Sequence, residues 1–461
     1  MFEQNPETWY NSVLILLKEL FSKTKIKPSE IGGIGITGQS PSLVILDAND
    51  KPLTNSIIWM DGRAVKEAKV IREKYNFPTT PSSYSSKLLW LIKNETEKMK
   101  RAKKIFEKAS DFITYKLTGK YVRGRIFKYD EFELSKSLLE EYALDSIELP
   151  EEQLPTTFIG PLKPDIAKFL EISNEVSITA GGVDGISSLF GTNTVTEKKA
   201  SVCLGTSLTI DVCTHKPVID DRFLCNYNLI VKKWYVAAIS NSGGVNYDWF
   251  RKAFAKLEET TGELTGIDVY HLLDLEAEKS PPGSRHLIFL PYIAGERFPY
   301  NDPFAKGVFF GITPQHVRSD FIRSILEGVA FSLYQIIFIL KEKEIPINEI
   351  ILSGDSAKNN IWPRIIADVI GMDLLIPRTL DTTVLGAAIQ SAVASHAFKS
   401  ISQVSRRMVK IERKIKYNRE AHRDYHSLFE VYRELYPRLK TLFVKLHNIR
   451  TSKEKVGGII G

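Results

Sequence analysis

Three glycine turns, each following an apolar run, hold the residues best suited to chemistry. They are "TAGGVDG" with Asp184, "CLGTSLT" with Gly205, Thr206 and Ser207, and "LSGDSAKNN" with Gly354, Asp355 and Asn359. A turn with little side-chain bulk can aim several N–H donors at a phosphate, and a Thr or Ser hydroxyl adds another. Taken alone, each is equally a plain turn. Asp184 is either the cap of the helix that follows Gly181-Gly182 or a general base for a hydroxyl.

Other local patterns point away from specific chemistry. Gly33, Gly35 and Gly38 satisfy G-x-G-x-x-G, but a dinucleotide site needs those glycines between a strand and a helix, and here a second strand-like run, "LVILDANDKPL", follows. They read as glycines in and just after a buried strand, where a neighbouring backbone or ligand comes close. The end of that strand, Gly38-Gln39-Ser40, is where a site could sit. The chain has no G-x-x-x-x-G-K-[ST] loop, HExxH, EF-hand pattern or G-x-S-x-G elbow, and its eight histidines are scattered. No metal held by protein ligands alone is expected.

The elements that must position these residues alternate in type. Residues 5–24 predict a helix, with Asn5 as cap, Pro6 in the first turn and Trp9, Val13, Leu16, Leu17 and Leu20 at helical spacing. The pattern continues with strands around Gly33 and Leu43, helices across most of 81–120, and strand–turn–helix units at each glycine turn. The long apolar helix "DFIRSILEGVAFSLYQIIFIL" and the small-residue helix "VLGAAIQSAVASHAF" complete it. The class is α/β.

With 461 residues, 43% of them hydrophobic, the chain exceeds the roughly 250–300 residues that one core usually serves, so two domains are expected, with a boundary near 195. A net charge of +7 from 62 basic and 55 acidic residues, with no basic block interleaved with aromatics, argues against nucleic acid and suits small anionic substrates. Three cysteines without a CxxC pair suggest a reducing cytoplasm. No basic leader precedes an apolar stretch and no run approaches the ~20 apolar residues of a membrane span.

Taken in order, the segments resemble the FGGY family of carbohydrate kinases. "GITGQSPSLVILDANDKPLTNSIIWMDGRA" is similar to the family's stretch from Gly-Gln to Trp-x-Asp-x-Arg. "SSKLLWLIKNE" resembles its first signature, with Tyr84 where a small residue or Pro is usual. "GVFFGITPQHVRSDFIRSILEG" fits its second, including Gly307, Gly311, Asp320, Ser324 and Glu327. The resemblance implies two ribonuclease-H-like domains of the actin and hexokinase type around a cleft: a sugar domain at 1–195, a nucleotide domain at 196–435 and a charged tail at 436–461. It implies ATP and Mg²⁺ as cofactors and a sugar or polyol as partner. The general base falls on Asp184. The sugar-facing residues fall on Gln39, Ser40, Gly185, Asp61 and Arg63, although Asp61 and Arg63 read equally as a structural ion pair. The nucleotide residues fall on Gly205, Thr206, Ser207, Gly311, Thr313, Gly354, Asp355 and Asn359.

Three departures bear on function. Ser40-Pro41 stands where xylulose kinases of the family usually have Met-His, which removes an imidazole. Asp355 replaces a usual second Gly. The family's opening strand hairpin, with its Asp-x-Gly-Thr phosphate turn, finds no match, so the first domain reads as incomplete. That reading leaves two alternatives to an active kinase: a non-catalytic sugar- or nucleotide-binding relative, or one part of a split enzyme. It also leaves "IGGIGIT" as an edge open to a homodimer or a partner chain.

Overall fold

The computed structural model describes residues 2–457 except Asn174. Its contacts divide the chain into two units: Met1–Asn193 with Asn226–Lys233 and Thr382–Met408, and Thr194–Cys225 with Trp234–Asp381 and Val409–Gly461. The segment Thr382–Met408, placed with the second domain on linear order, therefore packs within the first unit.

In the first unit, helix Pro6–Lys23 begins as its sequence demands. The Asn5 side chain accepts from the Glu7 N–H at 3.0 Å and Pro6 occupies the first turn, where a missing N–H costs nothing. A short strand not expected from the sequence, Glu3–Gln4, precedes it and pairs antiparallel with Ser56–Ile57. The Gly-rich stretch is extended but split: Gly33–Ile34 runs parallel to Ser177–Thr179, and Thr37–Gly38 runs parallel to Gly182–Val183. Its glycines serve close approach. A Cβ on Gly35 would lie 1.9 Å from the Ala387 carbonyl oxygen, and one on Gly33 would lie 2.6 Å from the Phe158 ring.

The helix beginning at Asp184 is fixed the same way. Asp184–Gly191 and Thr382–Ala394 touch backbone to backbone: a Cβ on Gly386 would sit 1.8 Å from the Ser187 carbonyl oxygen, and one on Gly191 would sit 1.9 Å from that of Thr382. Hydroxyls seal the crossing, with Ser188 and Thr382 at 2.8 Å. Buried Gln390 donates to Ser187 (2.5 Å), which donates to Thr37 (2.8 Å). One polar chain thus joins the helix of Asp184 to the strand that leads to Gln39.

The second unit is built on a mixed sheet whose strands run in the order Leu224–Asn228, Lys233–Ser240, Leu208–Thr214, Lys199–Leu204, Glu349–Ser353, Leu374–Pro377, Ile411–Ile415. Lys199–Leu204 and Glu349–Ser353 are parallel neighbours, with Cys203 opposite Ser353, so both glycine turns leave the sheet side by side. Helix Arg318–Glu342 fills the core. Contrary to the expectation from sequence, it is long and apolar enough to cross a membrane, with a mean hydropathy of 1.5 in its best window, but 89% of that window is buried against protein. Helix Arg419–Gly457 runs through Pro437 without interruption and buries Tyr425, Phe429, Tyr432, Tyr436 and Phe443. The stretch read as a separate charged tail thus continues a packed helix, and its last residues, 458–461, lie outside the described ones.

Gly386→Ala gains about 1 kcal/mol of helix propensity but places a methyl inside the Ser187 backbone. The expected result is a net loss of about 1–3 kcal/mol, read as a lower denaturant midpoint at unchanged slope. Gly32→Ala, whose Cβ meets nothing within 4 Å, should stay within about 0.5 kcal/mol.

Candidate active site

The first unit brings Asp184 and Gln39 together through strand register. Val183 lies opposite Gly38 in a parallel pair, so the next residues, Asp184 and Gln39, emerge side by side at the carboxyl ends of the two strands, where α/β folds place ligands. Ser40 follows Gln39, and Gly185 follows Asp184. The carboxylate of Asp184 accepts the Gly185 N–H at 2.8 Å. It is reachable by solvent, yet the protein around it desolvates it and pushes its pKa up, opposed only by the N–H groups of Gly185 and of Asp184 itself. A carboxylate in this state is more basic than usual and accepts a hydroxyl proton more readily.

Residues that the sequence reading missed hold both strand ends. The first turn of helix Ala109–Thr118 abuts them: Ser110 donates to the Gly182 carbonyl at 2.7 Å, and the Ala109 N–H reaches the Gln39 carbonyl at 3.4 Å. A buried ion cluster lies beneath. Lys108 and Asp111 pair at 2.9 Å with 3% and 1% of their side chains exposed, Arg123 pairs with Asp130, and burial pushes Glu107 up to about 7. The Glu107 carbonyl accepts the Ser42 N–H at 2.7 Å, just past Ser40-Pro41. The only signal in the sequence was charge inside an otherwise apolar run, "KIFEKASDFI", which usually marks a solvated face.

Gln39 donates to Gln4 at 2.8 Å, and Gln4 also accepts the Trp9 indole N–H at 2.9 Å. Asp61 and Arg63 bind each other. The guanidinium meets both carboxylate oxygens, at 2.8 and 2.7 Å, its remaining nitrogen reaches Glu3 at 2.8 Å, and it stacks on Trp90. Asp61 also accepts the N–H groups of Phe2 and Arg63. Burial alone would raise the Asp61 carboxyl, but the Arg63 fork and these N–H groups outweigh it and hold it at about 2. Of the two meanings left open for this pair, the structure displays the ion pair.

The second unit gathers four glycines at one corner. Gly205, Thr206 and Ser207 form the turn between two antiparallel strands, with the Gly205 N–H on the Ser207 carbonyl at 3.1 Å and open space where a Gly205 Cβ would be. Gly354, at φ +88°, lies against it: a Cβ there would meet the Leu204 carbonyl oxygen at 2.7 Å. Two further glycines, absent from the sequence-based set, back the turn. Gly244 donates to the Gly205 carbonyl at 2.7 Å, Val245 donates to that of Thr206 at 3.1 Å, and a Gly243 Cβ would collide with Ser207 at 2.4 Å. "NSGG" in the sequence was their only trace.

The remaining nucleotide candidates divide. The Asn359 side chain caps helix Ile361–Ile370 through the N–H groups of Ile361 and Trp362 and donates to Asp274 at 2.5 Å, so its amide organises the helix start. Asp355 is exposed and pairs with Lys358 at 2.8 Å. Gly311 (φ +92°) and Thr313 sit on the loop before helix Arg318–Glu342, where Thr313 is tied to His316 and His316 to the Arg285 carbonyl.

Arg63→Met would leave the Asp61 carboxylate, 1% exposed, without its cation. The expected loss is about 3–5 kcal/mol. Because the Asp61 pKa is depressed on folding, the pair's stabilisation is complete above the unfolded value of ~3.9 and disappears as pH falls through about 2. Urea titrations at pH 7, 4 and 2.5 should show wild type losing stability across that window and the variant losing less.

Comparison with known proteins places the chain in a family. Residues 1–191 match the N-terminal domain, and residues 200–395 the C-terminal domain, of the FGGY family of carbohydrate kinases. The N-terminal family model covers residues 1–191, so the expected incompleteness of the first domain is not borne out. A gluconokinase of Bacillus subtilis is 31% identical over 87% of this chain and 82% of its own length. A xylulose kinase of Staphylococcus epidermidis is 28% identical over 97% and 90%. Among solved structures, a gluconate kinase from Lactobacillus acidophilus superimposes with a TM-score of 0.82 at 27% identity, over 96% of this chain and 91% of that one. Two matched domains, in order and over most of the length, carry the conclusion: the chain belongs to the FGGY family of carbohydrate kinases.

Proposed function

We propose that this carbohydrate kinase transfers the γ-phosphoryl group of ATP to a hydroxyl of an open-chain sugar acid of the gluconate type, with Asp184 as general base. The hydroxyl oxygen attacks the γ-phosphorus, its proton passes to the Asp184 carboxylate, and ADP leaves. The observation that carries the reading is the Val183–Gly38 register, which sets a carboxylate of raised pKa beside Gln39 and Ser40.

Each part of the chain has a task. Gln39, Ser40 and Gly185 face the acceptor, with Gln39 oriented by Gln4. Asp61 and Arg63 brace this corner through Glu3 and Phe2 rather than by touching the acceptor. Gly205, Thr206 and Ser207 take the phosphates with backbone N–H and hydroxyl donors, and Gly354 leaves room beside them. Gly311, Thr313, Asp355 and Asn359 frame the rest of the nucleotide. Mg²⁺, which binds through phosphate oxygens and few protein ligands, supplies charge neutralisation when bound; the open space over Gly205 and the hydroxyls beside it fit a metal-carrying polyphosphate. A gluconate-type acceptor is favoured by the gluconokinase relatives and by Ser40-Pro41 in place of Met-His. Such a reaction belongs in the cytoplasm, with its ATP supply.

Asp184→Asn should lower kcat by about 10²-fold or more and leave the Kd for ATP within about twofold. The acid limb of the wild-type kcat profile should lie above the ~3.9 of an ordinary Asp, with activity rising as the carboxyl loses its proton. ADP release measured with D-gluconate, D-xylulose and glycerol identifies the acceptor, and unchanged turnover in the Asn variant would remove Asp184 from the mechanism.

A further inference from the structure

The turn Ser240–Gly244, which backs the phosphate corner, is itself held by a buried carboxylate. Glu296 is 2% exposed. It accepts from the Ser240 hydroxyl (3.0 Å), the Ser242 hydroxyl, the Asn241 N–H (3.0 Å) and the Arg297 N–H (2.8 Å). A backbone bridge to Asp302, at 2.9 and 2.7 Å, pins the same loop. Burial pushes the Glu296 carboxyl up to about 7 against these donors. Four donors converging on one buried group leave the loop little freedom.

The next residue is left unmatched. The Arg297 side chain reaches solvent and forms no hydrogen bond or ion pair among the described residues, because the neighbouring carboxylate of Glu296 is turned into the Ser240–Gly244 turn. Several buried or half-buried arginines of this unit are matched to carboxylates, among them Arg222 to Asp220, Arg251 to Asp248, Arg318 to Glu258 and Arg323 to Glu327, whereas Arg364, Arg419 and Arg423, like Arg297, have no carboxylate partner among the described residues. Desolvation lowers the Arg297 pKa from its usual value, only partly offset by Glu296. A partly desolvated guanidinium without a counter-ion is an unfavourable arrangement that an incoming anion relieves.

We propose that the Arg297 guanidinium contacts the phosphate oxygens of the nucleotide at the Gly205–Ser207 turn, with Glu296 as the positioning residue that aims it. The inference rests on the kinase reading above. Two short links connect the parts: Glu296 holds Asn241, and the turn that Asn241 begins donates to the Gly205 and Thr206 carbonyls. A guanidinium fork suits phosphate geometry, and a cation placed where charge develops on the transferring group accelerates transfer.

The test uses the full chain with Arg297→Gln, Arg297→Lys, Arg297→Ala and Glu296→Gln, each checked for an unchanged melting temperature. Arg297→Gln should lower kcat/KM for ATP on the order of 10- to 100-fold and weaken calorimetric binding of ATP and ADP, while adenosine binding and the KM for the sugar stay as in wild type. Arg297→Lys should lie between, and millimolar guanidinium ion should restore part of the activity of Arg297→Ala. Glu296→Gln should show the same nucleotide-specific loss in weaker form. Equal weakening of ATP and adenosine, or an unchanged kcat/KM for ATP, overturns the inference. If wild type phosphorylates none of the acceptors, the kinase reading fails, and the ATP-to-adenosine binding ratio still decides the role of Arg297.

Discussion

Close contact between backbones is the constraint on which the rest depends. Where Gly386 meets Ser187, Gly191 meets Thr382 and Gly35 meets Ala387, the approach is shorter than any Cβ would allow. These contacts determine where the helix of Asp184 begins relative to the strand ending at Gln39. Interiors are close-packed, so a methyl added at any of them must move an element rather than fill a gap. The position of the candidate base is therefore a packing result before it is an electrostatic one, and the Gln390–Ser187–Thr37 chain adds direction to contacts that are otherwise only steric.

The two corners handle charge in opposite ways. Around the strand ends that carry Gln39 and Asp184 the ions are matched: Asp61 with Arg63, Lys108 with Asp111, Arg123 with Asp130. Removing one member of such a pair is costly, which makes the pairs stiff supports with little capacity left for a ligand. Asp184 and Arg297 are the contrast, since each is desolvated without an opposite charge bound to its side chain.

Much of this was legible in the amino-acid order because glycine turns after apolar runs are local. Asp184, Gly205–Ser207 and Gly354 were each visible as a short string, and the cap at Asn5 lay where side-chain chemistry put it. What stayed hidden is non-local. The return of Thr382–Met408 to the first unit depends on which helix its glycines touch, and a small-residue helix reads the same against any partner. The apolar helix Arg318–Glu342 could be told from a membrane span only by its surroundings.

Glu296 shows the limit most clearly. Its sequence context, "AGERFPYND", reads as a polar surface loop, and a Glu there is by default solvated. The structure instead buries it under four donors, three of them from a strand end more than fifty positions away in the chain and the fourth the N–H of Arg297 beside it. A carboxylate tied down in this way acts on the arginine beside it only through space, so the same folding event that orders the turn behind Gly205 leaves the Arg297 guanidinium without a carboxylate in direct contact. An unmatched cation is here a consequence of how its neighbour is held.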